Sequence, residues 1–250
     1  MCGRYASFRE AQDLADEFAL TTIADDVLEL PPSWNVAPTD PVRIVVERPE
    51  RLSDGSQGAI ERTLRSARWG LVPSWAKSPA IGNKMINARS ETLLTKPAFR
   101  RAFAARRALL PADGYYEWQP PEPGSPSKVK QPFYIHAADG ASLAMAGLYE
   151  FWKDPTKADD DPTRWLVSAT VITTTAVDEM GHVHDRQPVI LLPENWDSWL
   201  NPAVDAEAAA ALLTTPLPRL NLTPVSTAVN KVATNNPDLI REIQPPPRVE

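Results

Sequence analysis

Residues 133–152 read FYIHAADGASLAMAGLYEFW, two apolar runs on either side of Asp139-Gly140. An Asp-Gly pair between such runs is a strong short-range hairpin signal, because these residues tolerate the positive φ that tight hairpin turns require. The neighbouring stretches follow the same strand pattern. ALLPADGYYEWQ (108–119) reads as strand, turn, strand, and VRIVV (42–46) and RTLRSARWGLV (62–72) as strands separated by a polar loop with Asp54-Gly55. WLVSATVITTTA (165–176) is a β-branched run suited to a buried strand, and LNLTPVS (220–226) is the last strand. Helices are fewer. Ser7 and Glu10 have capping-box spacing ahead of Ala11, Leu14, Ala15 and Phe18; Ser90 to Phe103 is helical in character but broken at Pro97; DAEAAAALL (205–213) completes the set. Strands joined by hairpin-length connections, with few helices, define an α+β class with largely antiparallel sheet. A single domain over 1–250 is expected, with 119–132 and 153–163 as surface loops.

The chain has 250 residues, 26 Lys and Arg against 32 Asp and Glu, and one cysteine, at position 2. One thiol permits no internal disulfide and no cysteine-based zinc knuckle, which excludes the secreted disulfide scaffolds. A net charge of −6 argues against coating nucleic acid or a membrane by bulk charge. No apolar run is long enough to span a membrane, and the start, MCGRYASFRE, lacks the apolar stretch of a signal peptide. A cytoplasmic protein with no membrane partner is expected. The charge is unevenly distributed: residues 60–110 carry eleven basic side chains against Glu61 and Glu91, a local +9, while the remainder carries −15. Segregation of this kind suggests an anion-binding surface, the bland alternative being a solvated face.

Cys2 is informative through its position. A small residue after the initiator Met favours removal of Met1, which would put a free α-amine and a thiol on one residue, both with usable nucleophilic fractions near neutral pH. Such a 1,2-aminothiol attacks an acyl group, or condenses with an aldehyde through a Schiff base that the thiol closes into a thiazolidine. The alternative is an inert residue at a frayed terminus. In GHVHDRQP (181–188), His182 and His184 flank Val183 and share a face if the segment is extended. A catalytic metal site needs about three protein ligands and only His136 remains, so His184 is read as a general acid or base, with no metal or other cofactor.

Glu117, between Tyr116 and Trp118, is either a proton relay with a raised pKa or an outward-facing residue of an alternating strand, and pattern leaves both open. Asn87 and Arg89 lie two apart in INARSET (86–92), where they would orient a ligand and clamp a phosphate, or cap a helix. Asn35 beside Trp34 in WNVAPTD (34–40), and Trp75 with Lys77 in WGLVPSWAK (69–77), set aromatic and polar groups where bases of a single strand could stack.

Together MCGRY, WNVAP, RWGLVPSWAK, INARSET, LLPADGYYEW, GHVHDRQP and VSTAVNKV (225–232) resemble the SOS-response-associated peptidase (SRAP) family, in that family's order from Cys2 to about Ile243. The resemblance implies a barrel-like β core with peripheral helices and a cationic groove for single-stranded DNA containing abasic sites. It also implies covalent capture of the abasic-site aldehyde by mature Cys2 as a thiazolidine. In that scheme Asn87 positions the reacting groups, Glu117 relays protons and His184 helps open the deoxyribose. A strand-cleaving lyase activity and self-removal of Met1 are further expectations. Arg4, Arg89 and the Trp75–Lys77 stretch fall where the family holds DNA, and Asn35, Arg100 and Arg101 complete the expected contacts. The protein is expected to be a monomer working beside replication or repair proteins. Gln187 and Ala108 depart from the family's usual Met and Cys. The MCG start also resembles amidotransferases and other N-terminal-nucleophile hydrolases, whose later motifs fit poorly, and a non-covalent single-strand-binding module would leave Cys2 unused.

Overall fold

A computed structural model describes residues 2–51, 54–121, 123–124, 128–177 and 180–244. In chain order the elements are β1 (Tyr5–Ser7), α1 (Ala11–Glu17), β2 (Thr22–Ile23), α2 (Asp25–Leu28), β3 (Ser33–Val36), β4 (Pro41–Arg51), β5 (Gln57–Trp69), β6 (Asn87–Arg89) and α3 (Arg100–Ala105). They continue as β7 (Arg107–Ala112), β8 (Gly114–Gln119), β9 (Gln131–Ala137), β10 (Leu143–Lys153), β11 (Trp165–Thr175), α4 (Met180–Val183), β12 (Arg186–Pro188), α5 (Trp196–Leu200), α6 (Ala206–Leu212) and β13 (Leu220–Pro224). Among the described residues no helix is long and apolar enough to cross a membrane.

The strands form a five-stranded sheet, ordered β13-β9-β8-β1-β3, and an eight-stranded one, ordered β12-β11-β10-β7-β4-β5-β2 with β6 pairing off this path on β11. In the larger sheet β11 also pairs in parallel with β5, Ser168 opposite Arg68 and Ala169 opposite Trp69. The circuit β5-β4-β7-β10-β11 therefore closes on itself as a small barrel, which removes exposed strand edges. Side chains alternate between its two faces. Val42, Ile44 and Val46 of β4, Ala108, Leu110 and Ala112 of β7, and Leu143, Met145 and Tyr149 of β10 enter an inner cluster shared with Tyr5, Tyr115 and Ile135 of the smaller sheet. Val45, Leu109, Ala144, Ala146 and Leu148 face outward into a second cluster, covered by Leu14 of α1, Phe103 of α3, Trp199 of α5 and Ala209 of α6. Buried Arg107 ties this helical layer to β7 by donating to the carbonyls of Phe103, Trp199, Asn201 and Val204 at 2.5–2.9 Å. The fold is α+β with a barrel-like core and peripheral helices.

Several local expectations are corrected. The two halves of 133–152 are strands, β9 and β10, but they do not pair: β9 lies in the smaller sheet and β10 in the barrel. Their inner residues Ile135 and Leu143 meet face to face in one cluster, so Asp139-Gly140 turns the chain between layers. That turn is anchored from outside, by Arg9 on the Gly140 carbonyl and by Glu17 accepting from Ser142 N–H at 2.8 Å. Likewise β7 and β8 are separated only by Asp113 and belong to different sheets. The hairpins instead span Asp54-Gly55, the proline-rich 119–132 loop and the 153–163 loop, joining β4 to β5, β8 to β9 and β10 to β11. The 119–132 loop lies partly outside the described residues. Ser7 is not a helix cap: it belongs to β1, Glu10 takes the cap position without a side-chain bond, and Ser7 Oγ accepts from Arg43. Of the helical stretch 90–103, only a single 3₁₀ turn (Ser90–Thr92) and the start of α3 are helical.

Gly147 sits in β10 where a Cβ would lie 2.1 Å from Leu110 Cδ1 and 2.7 Å from the Thr170 carbonyl oxygen. Gly147→Ala should therefore cost about 1–3 kcal/mol of stability through overpacking. Gly181→Ala, in α4 with nothing within 4 Å of the added carbon, should be neutral or stabilise by up to ~1 kcal/mol. Urea unfolding of the two variants checks the contrast.

Candidate active site

The chain start is held as an interior strand. β1 pairs with β3 on one side and β8 on the other, Tyr5 lying opposite both Val36 and Tyr115. Asp113, at the corner between β7 and β8, fixes the far end of this strand. Its carboxylate accepts from Phe8 N–H (2.7 Å), Arg9 N–H (3.3 Å) and Arg9 Nε (2.9 Å), while its own N–H donates to the Ala6 carbonyl at 2.9 Å. Cys2 is thereby drawn into the inner cluster and fully buried. The expected removal of Met1 lies outside the described residues.

β11 sets the positions of two further groups. Along one edge β6 pairs with it in parallel, Val171 opposite Asn87; along its end β12 pairs antiparallel, Thr175 opposite Arg186. Asn87 Nδ2 donates to the Cys2 carbonyl at 2.8 Å, and Asn87 Oδ1 is buried with no hydrogen-bond partner. Arg186 forks onto Glu91 at 2.5 and 3.0 Å and donates to the Thr173 carbonyl at 2.6 Å, tying the GHVHDRQP segment to INARSET. The same fork holds the Glu91 carboxyl down at about 2.

Glu117 comes from β8, where alternation puts Tyr115 and Glu117 on one face and Tyr116 and Trp118 on the other. Tyr116 and Trp118 anchor that second face, donating to the Trp34 carbonyl and to Asn230 Oδ1, each at 2.7 Å. Glu117 is 2% exposed. Burial pushes its carboxyl up to about 7, Asp185 adding to the rise and Lys130 opposing it. Burial also raises the Cys2 thiol well above its usual range, and the Glu117 charge adds to this. Tyr115, which the sequence did not single out, is buried beside them with its hydroxyl 3.8 Å from Met180 Sδ and its pKa raised, first by burial and then by Cys2 and Glu117.

GHVHDRQP is not uniformly extended: Met180–Val183 form a helical turn, so His182 and His184 do not share a strand face. His182 is exposed, its carbonyl accepting from Gln119. His184 Nδ1 faces Arg186 N–H at 3.0 Å. Burial lowers the imidazole pKa, against the opposing pull of Asp185, 2.8 Å from the same nitrogen. The lowered pKa favours the neutral form of His184. Among the described residues no three His, Cys, Asp or Glu side chains come together as metal ligands would.

The remaining candidates separate. Asn35 is buried, its amide donating to the Val229, Lys231 and Thr234 carbonyls and its oxygen accepting from Arg4 Nη1, so it holds Arg4 and the 229–234 segment in place. Ala76 is buried with its carbonyl held by the Trp152 indole at 2.7 Å, which presents its neighbours Trp75 and Lys77 outward. Arg89 is exposed at the end of β6, two residues from Asn87. Arg100 and Arg101 are exposed on α3, whose buried side packs into the outer cluster and not the one that holds Cys2. The +9 stretch is thus not one surface. Arg62 pairs with Glu47 and Asp197, Arg106 with Glu150, and Arg107 is internal. Of the two departures from the family pattern, Gln187 is buried and accepts from Val177 N–H, and Ala108 is a core residue of β7.

A buried cysteine just ahead of an interior strand, with an amide on its carbonyl, a carboxyl poised near neutrality and an imidazole of lowered pKa, makes up the candidate site on a two-sheet α+β scaffold. Residues 1–232 match the family model described as SOS response associated peptidase (SRAP), and the chain belongs to that family. It is 38% identical over 242 residues to the abasic site processing protein YoqW of Bacillus subtilis, covering 96% of this chain and 99% of that one. It is 29% identical over 253 residues to the abasic site processing protein YedK of Escherichia coli, covering 97% and 100%. A crystal structure of a Bacteroides thetaiotaomicron protein superposes with a TM-score of 0.78 at 24% identity, covering 97% of this chain and all of that one, which shows the shared fold.

The Glu117 carboxyl yields a pH test. Its native pKa of about 7 lies above the ordinary 4.5, so the folded chain keeps a proton that the unfolded chain releases. Wild-type stability should fall as pH rises from about 4.5 to about 7 and level off above, by an amount on the order of 3 kcal/mol. Glu117→Gln should lack this component, so its stability relative to wild type should rise across that window in urea melts at successive pH values.

Proposed function

We propose that this protein processes abasic sites in single-stranded DNA by linking mature Cys2 to the aldehyde of the ring-opened sugar. The observation that carries the reading is the placement of Cys2, whose carbonyl is fixed by Asn87 while its thiol lies within the electrostatic reach of a Glu117 poised near pH 7. The relatives' names support the substrate class.

With Met1 removed, the α-amine of Cys2 adds to the aldehyde carbon and water leaves, giving an imine. The thiol sulfur then adds to the imine carbon while its proton passes to the nitrogen, closing a thiazolidine; the net loss is one water. Glu117 gives a proton to the departing oxygen and takes one from the amine or thiol, a role suited to a carboxyl half-protonated at neutral pH. Asn87 Oδ1, an unpartnered buried acceptor, orients the amine, and His184 stabilises the sugar oxygen as the ring opens. A buried, protonated thiol suits this amine-first order better than acyl transfer by a preformed thiolate. The imine also permits elimination of the 3′ phosphate, so lyase activity accompanies the adduct. Trp75 stacks on a base, and Lys77, Arg89 and Arg4 contact the strand's phosphates, Asn35 acting through Arg4.

Incubation with single-stranded DNA bearing an abasic site should give a heat-stable adduct on denaturing gels, absent in Cys2→Ala. Persistence of the adduct in that variant would sink the proposal. For non-covalent binding, Lys77→Ala and Arg89→Ala should each weaken affinity and reduce the slope of log K against log[salt] by about 0.7, the single-strand value per phosphate contact. Arg100→Ala and Arg101→Ala should leave both quantities unchanged; fluorescence anisotropy at several salt concentrations separates the two groups.

A further inference from the structure

The barrel's two ends differ in chemistry. At one, where β5 finishes, Trp69 packs edge-on against Tyr5 with ring centroids 5.1 Å apart. Toward the other, the inward-facing series changes from apolar to basic. On β4 the residues Val42, Ile44 and Val46 are followed on the same face by Arg48, and on β5 the series Trp69 and Ala67 continues to Arg65, which lies opposite Ile44. Both guanidiniums lie over the Phe151 ring, Arg48 at 4.8 Å and Arg65 at 5.6 Å from its centroid. Beside them is an open pocket of about 220 Å³ whose lining includes Arg48, Arg106, Tyr149 and Phe151, together with Glu47.

The local acids have other partners: Asp26, whose charge acts on Arg65, accepts from Ser66 N–H at 3.1 Å. Glu47 is held by Arg62 and Glu150 by Arg106, at 2.5 and 2.7 Å. Glu61 is the cross-strand neighbour of Arg48, yet among the described residues neither Arg48 nor Arg65 makes an ion pair within 4 Å. Two like charges therefore converge on one ring without a carboxylate between them, and Arg106 adds a buried Nε with no hydrogen-bond partner. Cation–π contact offsets part of this repulsion, but an oxyanion would remove it, because planar guanidinium forks match the geometry of phosphate oxygens.

We propose that this arginine-lined barrel mouth is an anion site that takes a phosphate group, separate from the Cys2 cluster. The phosphate is either free or carried by a nucleic-acid strand, and the same set of donors would hold both.

The test uses the full chain with inorganic phosphate as the probe, followed through the arginine Nε–H signals in NMR and by calorimetry. Phosphate should shift the Arg48 and Arg65 signals saturably where chloride does not, and exposed Arg48→Gln should weaken phosphate binding about tenfold, a loss equivalent to one good contact. Arg100→Gln should leave it unchanged. A short oligonucleotide without an abasic site distinguishes the sources: affinity reduced about tenfold by Arg48→Gln assigns the phosphate to a strand, and unchanged affinity assigns it to a free phosphate or small phosphoester. Absence of phosphate-induced shifts at Arg48 and Arg65, or equal phosphate affinity in wild type and Arg48→Gln, overturns the proposal.

Discussion

The site rests on the hold that Asp113 has over β1. A chain terminus is ordinarily the least ordered part of a domain, since it has a neighbour on one side only and gains little for the entropy it loses. Here the first strand is short, but it is hydrogen-bonded on both flanks and its exit is fastened by a carboxylate that accepts from Phe8, from Arg9 and from the Arg9 guanidinium. The register of β1 against β8 follows, and with it the depth to which Cys2 enters the core. Asp113 can do this because it occupies the single-residue corner at which the chain leaves the barrel for the smaller sheet. One short polar side chain at the junction of both sheets links the closing of the fold to the placing of Cys2.

The second constraint is β11. Its pairing with β5 closes the barrel, and its neighbouring stretches carry β6 and β12, so the strand that completes the scaffold also aligns Asn87 and the segment that leads from His184 to Arg186. Site residues drawn from positions 2, 87, 117 and 184 thus rest on two strands and a corner, which restricts their relative motion. The Arg186–Glu91 fork adds a cross-tie between two of these segments. Because Glu91 is half exposed, that tie contributes more to geometry than to stability.

What was legible in the sequence follows from the range of the interaction involved. Strand identity is set by alternation within a few residues, and VRIVV, WLVSATVITTTA and LNLTPVS are strands in the structure. Pairing depends on partners far along the chain. Asp139-Gly140 supplies the positive φ of a tight turn, as its composition implies, but whether the flanking strands pair or face each other is decided by β7, β8 and β13, which claim their edges. Ser7 and Glu10 had the spacing of a cap, and Asp113, a hundred residues away, had already taken the N–H groups of Phe8 and Arg9. Charge behaved in the same way: the +9 of residues 60–110 was a sum over side chains that the fold sends inward, outward and into ion pairs. The candidate site residues Cys2, Asn87, Glu117 and His184 could be named from the sequence because they lie in motifs whose order the family resemblance supplies. Tyr115 and Asp113 lie in one of those same motifs, but their importance is a matter of burial and long-range bonding that no spacing expresses.

Burial of the thiol bears on how such a site can react at all. A cysteine nucleophile usually works as a thiolate, favoured by cations or a helix N-terminus. Cys2 has the opposite surroundings, an apolar cluster with a carboxyl that disfavours negative sulfur. Burial also keeps Glu117 from ionising fully, so two acidic groups, one opposing the other's charge, are buried near each other. A reaction that begins with a neutral amine and an aldehyde creates no net charge on sulfur until the imine has formed. In the proposed route the imine carbon, an electrophile adjacent to the thiol, then accepts the sulfur as the thiol proton passes to the imine nitrogen. On the proposed route, surroundings that make a thiolate costly in the resting protein would also slow adventitious oxidation and alkylation of the cysteine, and ring closure would wait until the imine has formed.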